Sequence, residues 1–348
     1  MGSDMKRRMS VVSTARTTVV IVAILFTFWL ILLINNLPIS SELPTRSPTG
    51  RNNNFSTLCP LISPLSVGWM DLSLIIPELL ENSQQDAFHN KMKSAGLIEG
   101  GSYRPKDCQS RNKVAIILPF RNRSQHLTVF LHYMHPFLQR QQLDYTIFVV
   151  EQTDGLPFNR GMLLNVGFIE AQRSDTFQCF IFHDVDILPE DDRNIYSCPE
   201  VGRPRQMSFV IDIHDYKPVS LMFLFGGGVI AISAVDFVRA NGYSNAFWGL
   251  GLDDDDFYRR IRRLNMTVVR PNILAEHLRY RTLYHDPSVD VIPNRQKLFD
   301  DGYLRFESDG LINLKYRPKD IQLKPLYTHV VVNLTEDHLN LLISRPLN

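Results

Sequence analysis

The segment KVAIILPFRNRSQ, residues 113–125, sets the fold class of this chain. Its first part is largely apolar and β-branched and stops at a polar turn, which is typical of a buried parallel strand that feeds a helix, here at about residues 127–140. Two further predicted strands, DYTIFVVEQ (144–152) and CFIFHDVD (179–186), enclose a second predicted helix, FNRGMLLNVGFIEAQ (158–172). Strands separated by helical segments predict an α/β domain with a mostly parallel sheet flanked by helices.

Charged side chains follow two of these strands. Arg121 and Arg123 come after the first, and Asp184 and Asp186 come at the end of the third. In such sheets ligands bind at the carboxyl ends of the strands. Guanidinium forks suit phosphate oxygens, Phe120 could pack a base or ribose, and an Asp-x-Asp pair suits a hard divalent cation that could hold a diphosphate. The alternative for both pairs is a solvated loop.

A second dense cluster is FWGLGLDDDDFYRRI, residues 247–261. Its four aspartates, Asp253 to Asp256, precede a helical stretch, where acids favour the helix dipole. Four acids exceed what capping requires, and Gly249 and Gly251 give the preceding loop freedom to move. The segment therefore predicts a lid that carries a general base.

Two weaker signals lie outside these clusters. The glycine-rich FGGGVIAIS, residues 225–233, lacks the pattern of a P-loop or a dinucleotide fingerprint, and it predicts a close backbone approach to a ligand or to the sheet. His285, in LYHDP, could be a metal ligand, although a single histidine is more often structural or exposed.

The N-terminus predicts a membrane anchor. An uncharged run, TTVVIVAILFTFWLILLI, is long enough to cross a hydrocarbon core of about 30 Å. Basic residues precede it, and none follows until Arg46, which places the N-terminus in the cytosol. We predict a cytosolic tail (1–17), a signal anchor (18–34), a flexible stem (35–57) and a lumenal domain (58–348); a cleavable signal peptide is the alternative.

The remaining composition fits a lumenal chain. Four cysteines suggest two disulfides, for which the sequence alone allows three pairings. N-glycosylation sequons at Asn54, Asn265 and Asn333 fit the secretory route, whereas the sequon at Asn122 lies in the predicted binding segment and is expected to be unmodified. Lys plus Arg number 37 against 36 Asp plus Glu, so no basic excess points to nucleic acid.

These blocks, taken in order, resemble the beta-1,4-galactosyltransferase family. The resemblance runs from about residue 59 to 334 through CPLISPLSVG, KVAIILPFRNR, FNRGMLLNVGF, CFIFHDVD, FGGGVIAIS, FWGLGLDDDDFYRRI, DGLINLKY and PLYTHVVVNL. It implies a single-pass type II protein of the Golgi membrane with a GT-A fold that inverts the anomeric centre. It further implies that a UDP-sugar and Mn²⁺ bind first and that a loop then closes to create the acceptor site.

The resemblance also implies roles for individual residues. Asp186 and His285 would bind the metal, Asp254 would be the base, and Gly251, Asp254 and Asp255 would contact the acceptor. The residues that would surround the donor are Pro119, Phe120, Arg121, Arg123, Phe158, Arg160, Asp184, Val185 and Phe225. The disulfides that the family pattern implies are Cys59–Cys108 and Cys179–Cys198.

This chain departs from the family pattern at the lid, the metal and the donor sugar. Leu250 stands in place of a tryptophan, Leu252 in place of a glycine and Asp253 in place of a glutamate. Thr282 replaces a methionine metal ligand. Where galactose-specific members have tyrosine, this chain has Phe225 or Leu224, so the donor stays open between galactose and N-acetylgalactosamine.

Two functions follow from these observations. The leading hypothesis is an Mn²⁺-dependent beta-1,4-glycosyltransferase that acts on a terminal GlcNAc-type acceptor of a glycoprotein or glycolipid. The alternative is a catalytically weak Golgi homologue that binds sugar or nucleotide as a scaffold.

Overall fold

The computed structural model describes residues 57–81, 85–217, 227–270, 275–284 and 295–335. The predicted tail and anchor and almost all of the stem lie outside these residues, as do Leu224, Phe225 and His285. None of the helices within the described ranges is both long enough and apolar enough to cross a membrane.

Eleven strands and eight helices make up the described part of the chain, besides short 3-10 turns. The strands are β1 (Ser102–Tyr103), β2 (Lys113–Phe120), β3 (Asp144–Gln152), β4 (Cys179–His183), β5 (Ile187–Pro189), β6 (Arg205–Gln206), β7 (Val210–Ile211), β8 (Val229–Ser233), β9 (Arg279–Thr282), β10 (Tyr316–Leu323) and β11 (Thr328–Leu334). The helices are α1 (Leu72–Glu81), α2 (Gln85–Ser94), α3 (Ser124–Arg140), α4 (Arg160–Ser174), α5 (Ala234–Arg239), α6 (Asp253–Arg263), α7 (Arg295–Asp300) and α8 (Gly302–Arg305).

The main sheet has the strand order β10-β11-β3-β2-β4-β8-β6, with β1 paired to β3. Its centre is parallel, since β11, β3, β2 and β4 all run the same way. Its margins are antiparallel, because β10 forms a hairpin with β11, β8 runs antiparallel to β4, and β6 runs antiparallel to β8. The prediction of an α/β domain with a sheet flanked by helices is therefore confirmed, and the sheet is mixed, with its parallel strands at the centre. A parallel neighbour needs a long crossover, usually a helix, and the described part of the connection from β4 to β8 contains no such helix.

The core lies where the central strands are covered on both faces. The side chains of β2 are almost completely buried after Lys113, which explains why this strand reads as a continuous apolar run. Helix α4 packs against it so closely that a Cβ at Gly167 would lie 2.2 Å from Cγ2 of Ile117. A glycine in mid-helix costs roughly 1 kcal/mol relative to alanine, but here it lets the helix backbone approach the sheet.

The third predicted strand is shorter than expected. Strands β2 and β3 have the predicted bounds, but β4 ends at His183 and the chain turns before β5 begins a small second sheet with β9 and β7. Asp184 and Asp186 therefore lie in a turn between two sheets rather than within a strand.

Two disulfides join the pairs that the family resemblance implied. Cys59–Cys108 ties the start of the described domain to the segment before β2, and Cys179–Cys198 ties the first residue of β4 to the loop beyond β5.

The segment around residues 67–68, near the start of the described domain, is attached to the rest of the domain through the buried carboxylate of Asp192. Its oxygens accept the backbone N–H groups of Val67, at 3.0 and 3.1 Å, and of Gly68, at 2.9 Å. Nε of Arg140 on α3 donates to the same carboxylate at 2.5 Å, and the side chain of Asp192 is fully buried. One acid thus connects three separate parts of the chain.

Asp192→Asn should destabilise the domain by about 3 kcal/mol or more, because it leaves the Arg140 guanidinium without its buried counter-charge. The measurement is denaturant unfolding of a fragment that starts at residue 58. Asp215→Asn is the control, because Asp215 forms only an exposed pair with Lys217 and should change stability by well under about 1 kcal/mol. Equal stabilities for the two variants would contradict this assignment.

Candidate active site

The guanidinium of Arg160 joins the two acidic clusters, Asp184–Asp186 and Asp253–Asp256, which are far apart in the sequence. Arg160, the first residue of α4, donates from Nε to Oδ1 of Asp184 at 2.7 Å. Its Nη1 donates to Oδ2 of Asp253 at 3.0 Å and to Oδ1 of Asp254 at 2.9 Å. The base predicted at Asp254 therefore lies beside the carboxyl ends of the central strands, where the sequence predicted a ligand site.

The charges in this cluster do not balance. Burial raises the pKa of Asp254 to about 8 and the pKa of Asp184 to about 6; Arg160 opposes both shifts, while neighbouring carboxylates add to them. Burial opposes the charge of Arg160, but the three carboxylates outweigh it and raise the arginine pKa well above its usual range. Arg160 therefore stays a cation. Beside it lies the largely buried carboxylate of Asp254, whose pKa is raised.

The sequence predicted that the backbone of the glycine-rich segment closely approaches a ligand or the sheet, and in the structure this backbone closely approaches the carboxylate of Asp254. A Cβ at Gly227 would lie 2.2 Å from Oδ2 of Asp254, so no larger residue fits there unless the carboxylate moves. Gly228 has φ +106°, and its carbonyl accepts the backbone N–H of Asp184 at 2.9 Å. This segment therefore contacts both acidic clusters.

The predicted lid loop has the backbone conformation that its glycines allow. Gly249 and Gly251 have φ of +71° and +91°, and the N–H of Gly249 donates to the carbonyl of Phe158 at 2.7 Å. Trp248 is buried, whereas Leu250, which replaces the family tryptophan, is 63% exposed. Leu252, which replaces a glycine, also adopts a left-handed conformation with φ +69°, at a cost of roughly 1–2 kcal/mol.

The four aspartates of α6 do not share one role. Asp253 and Asp254 bind Arg160, whereas Asp256 forms a fully buried pair with Arg260 at 2.7 Å. The helix dipole alone therefore does not account for the aspartates, since Asp253 and Asp256 both form specific ion pairs. Asp255 is also buried.

The sequence analysis missed a second charged cluster beneath the helix. Nη1 of Arg260 donates to the carbonyl of Asp309 at 2.6 Å, and the Asp309 carboxylate accepts the backbone N–H of Asn245 at 2.8 Å. The spacing of Asp256 and Arg260, i and i+4 on a helix, was the available signal for the pair. Asp309 carries no such local signal.

The predicted donor-binding residues lie around the strand ends. Pro119 and Phe120 are the last residues of β2, and Arg121 donates from Nη1 to the carbonyl of Leu156 at 2.6 Å. The Arg121 guanidinium is 5.2 Å from the ring centroid of Phe158, and Arg123 stands at the N-cap of α3. Val185, in the turn after β4, is buried.

The predicted metal ligands lie only partly within the described residues. Asp186 is half-buried, and its carbonyl accepts the N–H of Leu283 at 2.7 Å, which ties the turn after β4 to the chain two residues before His285. In the register of β5 and β9, Thr282 pairs with Ile187, the residue after Asp186. Within the described ranges, the Thr282 hydroxyl is buried and has no hydrogen-bond partner, and no three His, Cys, Asp or Glu side chains form a metal-binding group.

Comparison with known protein families identifies the chain. Residues 59–199 match the family model described as the N-terminal region of glycosyl transferase group 7, and residues 207–286 match the N-terminal domain of galactosyltransferase. Beta-1,4-galactosyltransferase 1 of Mus musculus is 40% identical over 296 residues, which cover 84% of this chain and 70% of the mouse protein. The chain belongs to the beta-1,4-galactosyltransferase family. It is a glycosyltransferase enzyme.

Other relatives agree with this assignment. Beta-1,4-galactosyltransferase 6 of Homo sapiens is 40% identical over 277 residues, which cover 79% of this chain and 69% of the human protein. Among solved structures, the catalytic domain of Drosophila beta-1,4-galactosyltransferase 7, in a complex of a mutant with manganese, UDP-Gal and xylobiose, is 29% identical with a TM-score of 0.56. The match covers 64% of this chain and 94% of the Drosophila chain. This similarity agrees with the GT-A fold that the sequence predicted.

Gly227→Ala should lower turnover on the order of 100-fold, because the added Cβ displaces the Asp254 carboxylate and misplacements of about 1 Å have effects of that size. The measurement is galactosyl transfer, with thermal unfolding to confirm that the variant folds. Gly155→Ala is the matched control, since no atom lies within 4 Å of the Cβ it would carry. If both variants keep the parental turnover, Gly227 does not position Asp254.

Proposed function

We propose that this galactosyltransferase moves a galactosyl group from UDP-galactose to a hydroxyl of a terminal GlcNAc-type sugar with inversion, and that Asp254 is the general base. N-acetylgalactosamine is the alternative donor sugar, since the residues at the position that separates the two, Leu224 and Phe225, lie outside the described ranges. The proposal rests on a single observation: at the strand ends, Asp254 forms an ion pair with Arg160 and lies against the backbone of Gly227.

The chemistry needs a base that is close to the reacting atoms and has some affinity for a proton. The acceptor oxygen bonds to the anomeric carbon, the bond from that carbon to the diphosphate breaks, and the acceptor proton must be removed as this happens. Burial raises the pKa of Asp254 to about 8, which suits a carboxylate that takes a proton near neutral pH. Asp255 and Gly251, in the same lid, are proposed to hold the acceptor sugar.

The donor side of the site is built from cations and an aromatic ring. We assign the uridine diphosphate to the ends of β2 and β4, with Arg121 and Arg123 facing its phosphates and Phe158 beside Arg121. Arg160 has a buried Nη2 that finds no hydrogen-bond partner among the described residues. That N–H group is a suitable donor to a sugar or phosphate oxygen of the ligand.

The residues around Asp186 fit a divalent cation. Asp186 and His285 are the proposed ligands, and the Thr282 hydroxyl, which has no hydrogen-bond partner among the described residues, adds a hard oxygen where the family resemblance implies a thioether. Manganese is the proposed metal, which is the ion held by the Drosophila relative. A bound cation would neutralise charge on the leaving diphosphate.

The proposed setting is the lumen of the Golgi, with the chain held as a single-pass type II protein by residues 18–34. The uncharged run and the basic residues before it support this placement. The two disulfides support it as well, because such bonds persist in oxidising compartments.

Asp254→Asn should lower turnover by about 100- to 10,000-fold and leave donor affinity nearly unchanged, because asparagine keeps the shape but cannot accept the proton. The assay offers UDP-galactose or UDP-N-acetylgalactosamine, Mn²⁺ and a GlcNAc-terminated acceptor to the fragment that starts at residue 58. A parental fragment that binds UDP but transfers neither sugar would favour the alternative, a weakly active binding scaffold.

The matched variant is Asp253→Asn, which shares the Arg160 contact. Because Asp254 acts in its ionised form and has a raised pKa, parental kcat/KM should rise with pH on the acidic side of that pKa. Asp253 helps to raise this pKa, so its replacement should keep substantial turnover and move the acidic limb to lower pH. Full activity in Asp254→Asn, or loss confined to Asp253→Asn, would reassign the base.

Asp186→Ala should abolish the gain in UDP affinity that Mn²⁺ produces, since removing the carboxylate leaves the cation and the diphosphate poorly held. Titration calorimetry of UDP binding with and without metal measures this directly and does not depend on turnover. Glu200→Ala is the control, because Glu200 is 77% exposed and pairs only with Arg203. A parental response to Mn²⁺ in Asp186→Ala would remove Asp186 from the metal site.

A further inference from the structure

Three of the four N-glycosylation sequons lie in described parts of the chain, and the structure places them very differently. Asn333 lies within β11, paired with Arg317 of β10, and its Oδ1 accepts a hydrogen bond from the Thr153 hydroxyl at 2.8 Å. Asn122 is exposed, but it lies in the turn between Arg121 and Arg123 at the proposed donor site. Asn265 is exposed at the far end of α6, which follows the lid.

The local backbone around Asn265 presents the sequon to solvent. Helix α6 ends at Arg263, and Asn265 has φ +57° with its N–H bonded to the carbonyl of Arg262 at 3.0 Å. Met266 is buried and anchors the segment, while Thr267 is exposed and its N–H donates to the carbonyl of Gly202 at 2.9 Å. With the middle residue buried, the amide and the hydroxyl that define the sequon are both left at the surface.

We propose that Asn265 carries an N-linked oligosaccharide. In the reaction the side-chain amide nitrogen bonds to the anomeric carbon of a lipid-linked oligosaccharide, the polyprenyl diphosphate leaves with the bonding electrons, and the amide loses one proton. The proposal rests on the lumenal placement proposed above. A bulky hydrophilic chain requires an exposed attachment site, which Asn265 has and the hydrogen-bonded, half-buried Asn333 lacks.

The position is compatible with catalysis. At 1.5 Å per residue, the last helical residue, Arg263, lies roughly 14 Å along the axis of α6 from Asp254, and Asn265 follows it. A glycan there leaves the donor and acceptor sites open, whereas a glycan on Asn122 would stand between the two arginines of the donor site.

A purely conformational role for Asn265 is the competing explanation. Where a helix ends in a left-handed residue, that residue is usually glycine and sometimes asparagine. The variants separate the two roles. Asn265→Gly keeps the left-handed conformation and removes the amide. Thr267→Ala keeps Asn265 itself and removes the hydroxyl, while Thr267→Ser keeps the sequon.

The experiment expresses the full chain in animal cells and maps its peptides after treatment with a glycan-releasing amidase, which hydrolyses the glycosylated side-chain amide and so converts asparagine to aspartate. The Asn265 peptide should be converted in the parent and in Thr267→Ser, and left unconverted in Asn265→Gly and Thr267→Ala. The corresponding shift in gel mobility should be lost in the same two variants, and turnover should persist in all four proteins.

The remaining outcomes overturn the proposal in distinguishable ways. If Asn54 or Asn333 is glycosylated and Asn265 is not, the chain reaches the lumen but Asn265 serves only the backbone. If none of the sequons is modified, the lumenal placement fails together with the proposal, although transfer by the purified fragment would leave the enzymatic function intact.

Discussion

The Arg160 guanidinium is the contact on which the arrangement of this site depends. Three carboxylates from two distant segments approach it, and without a central cation their mutual repulsion would separate the β4 turn from the start of α6. The position of Arg160 is itself fixed, because Asn159 caps α4 by accepting the N–H of Met162 at 2.9 Å. The Asn159 side chain also donates to the carbonyl of Asn245 at 2.9 Å. A helix cap thus helps to determine where the carboxylates of Asp253 and Asp254 lie.

Helix α6 is held from two sides, although it directly follows a glycine-containing loop. Arg160 binds its first residues from one side, and the pair between Asp256 and Arg260 is buried on the other. Breaking a buried pair of this kind costs about 3–5 kcal/mol, so the helix has little freedom to rotate.

Three positions at which the family resemblance implied a departure differ in their surroundings. Leu250 exposes an aliphatic side chain, whereas the Thr282 hydroxyl is buried and has no hydrogen-bond partner among the described residues. Leu252 keeps the left-handed backbone of a glycine at a conformational cost, so the path of the loop is retained while its chemistry changes. The charged framework of Arg160, Asp184 and Asp254 does not depend on any of these three positions.

The sequence by itself determined the strands β2 and β3, the family and the residues that carry charge. Continuous apolar runs such as residues 113–120 and 144–152 specify buried strands because every side chain on both faces must leave water. The sequence left open the direction of the marginal strands, the partners of the four aspartates and the role of Gly227. Those depend on contacts between segments far apart in the chain. Arg160 and Gly227 both contact the Asp254 carboxylate, and they can do so only when the sheet has brought the strand ends together. No local sequence pattern predicts contacts between residues so far apart in the chain.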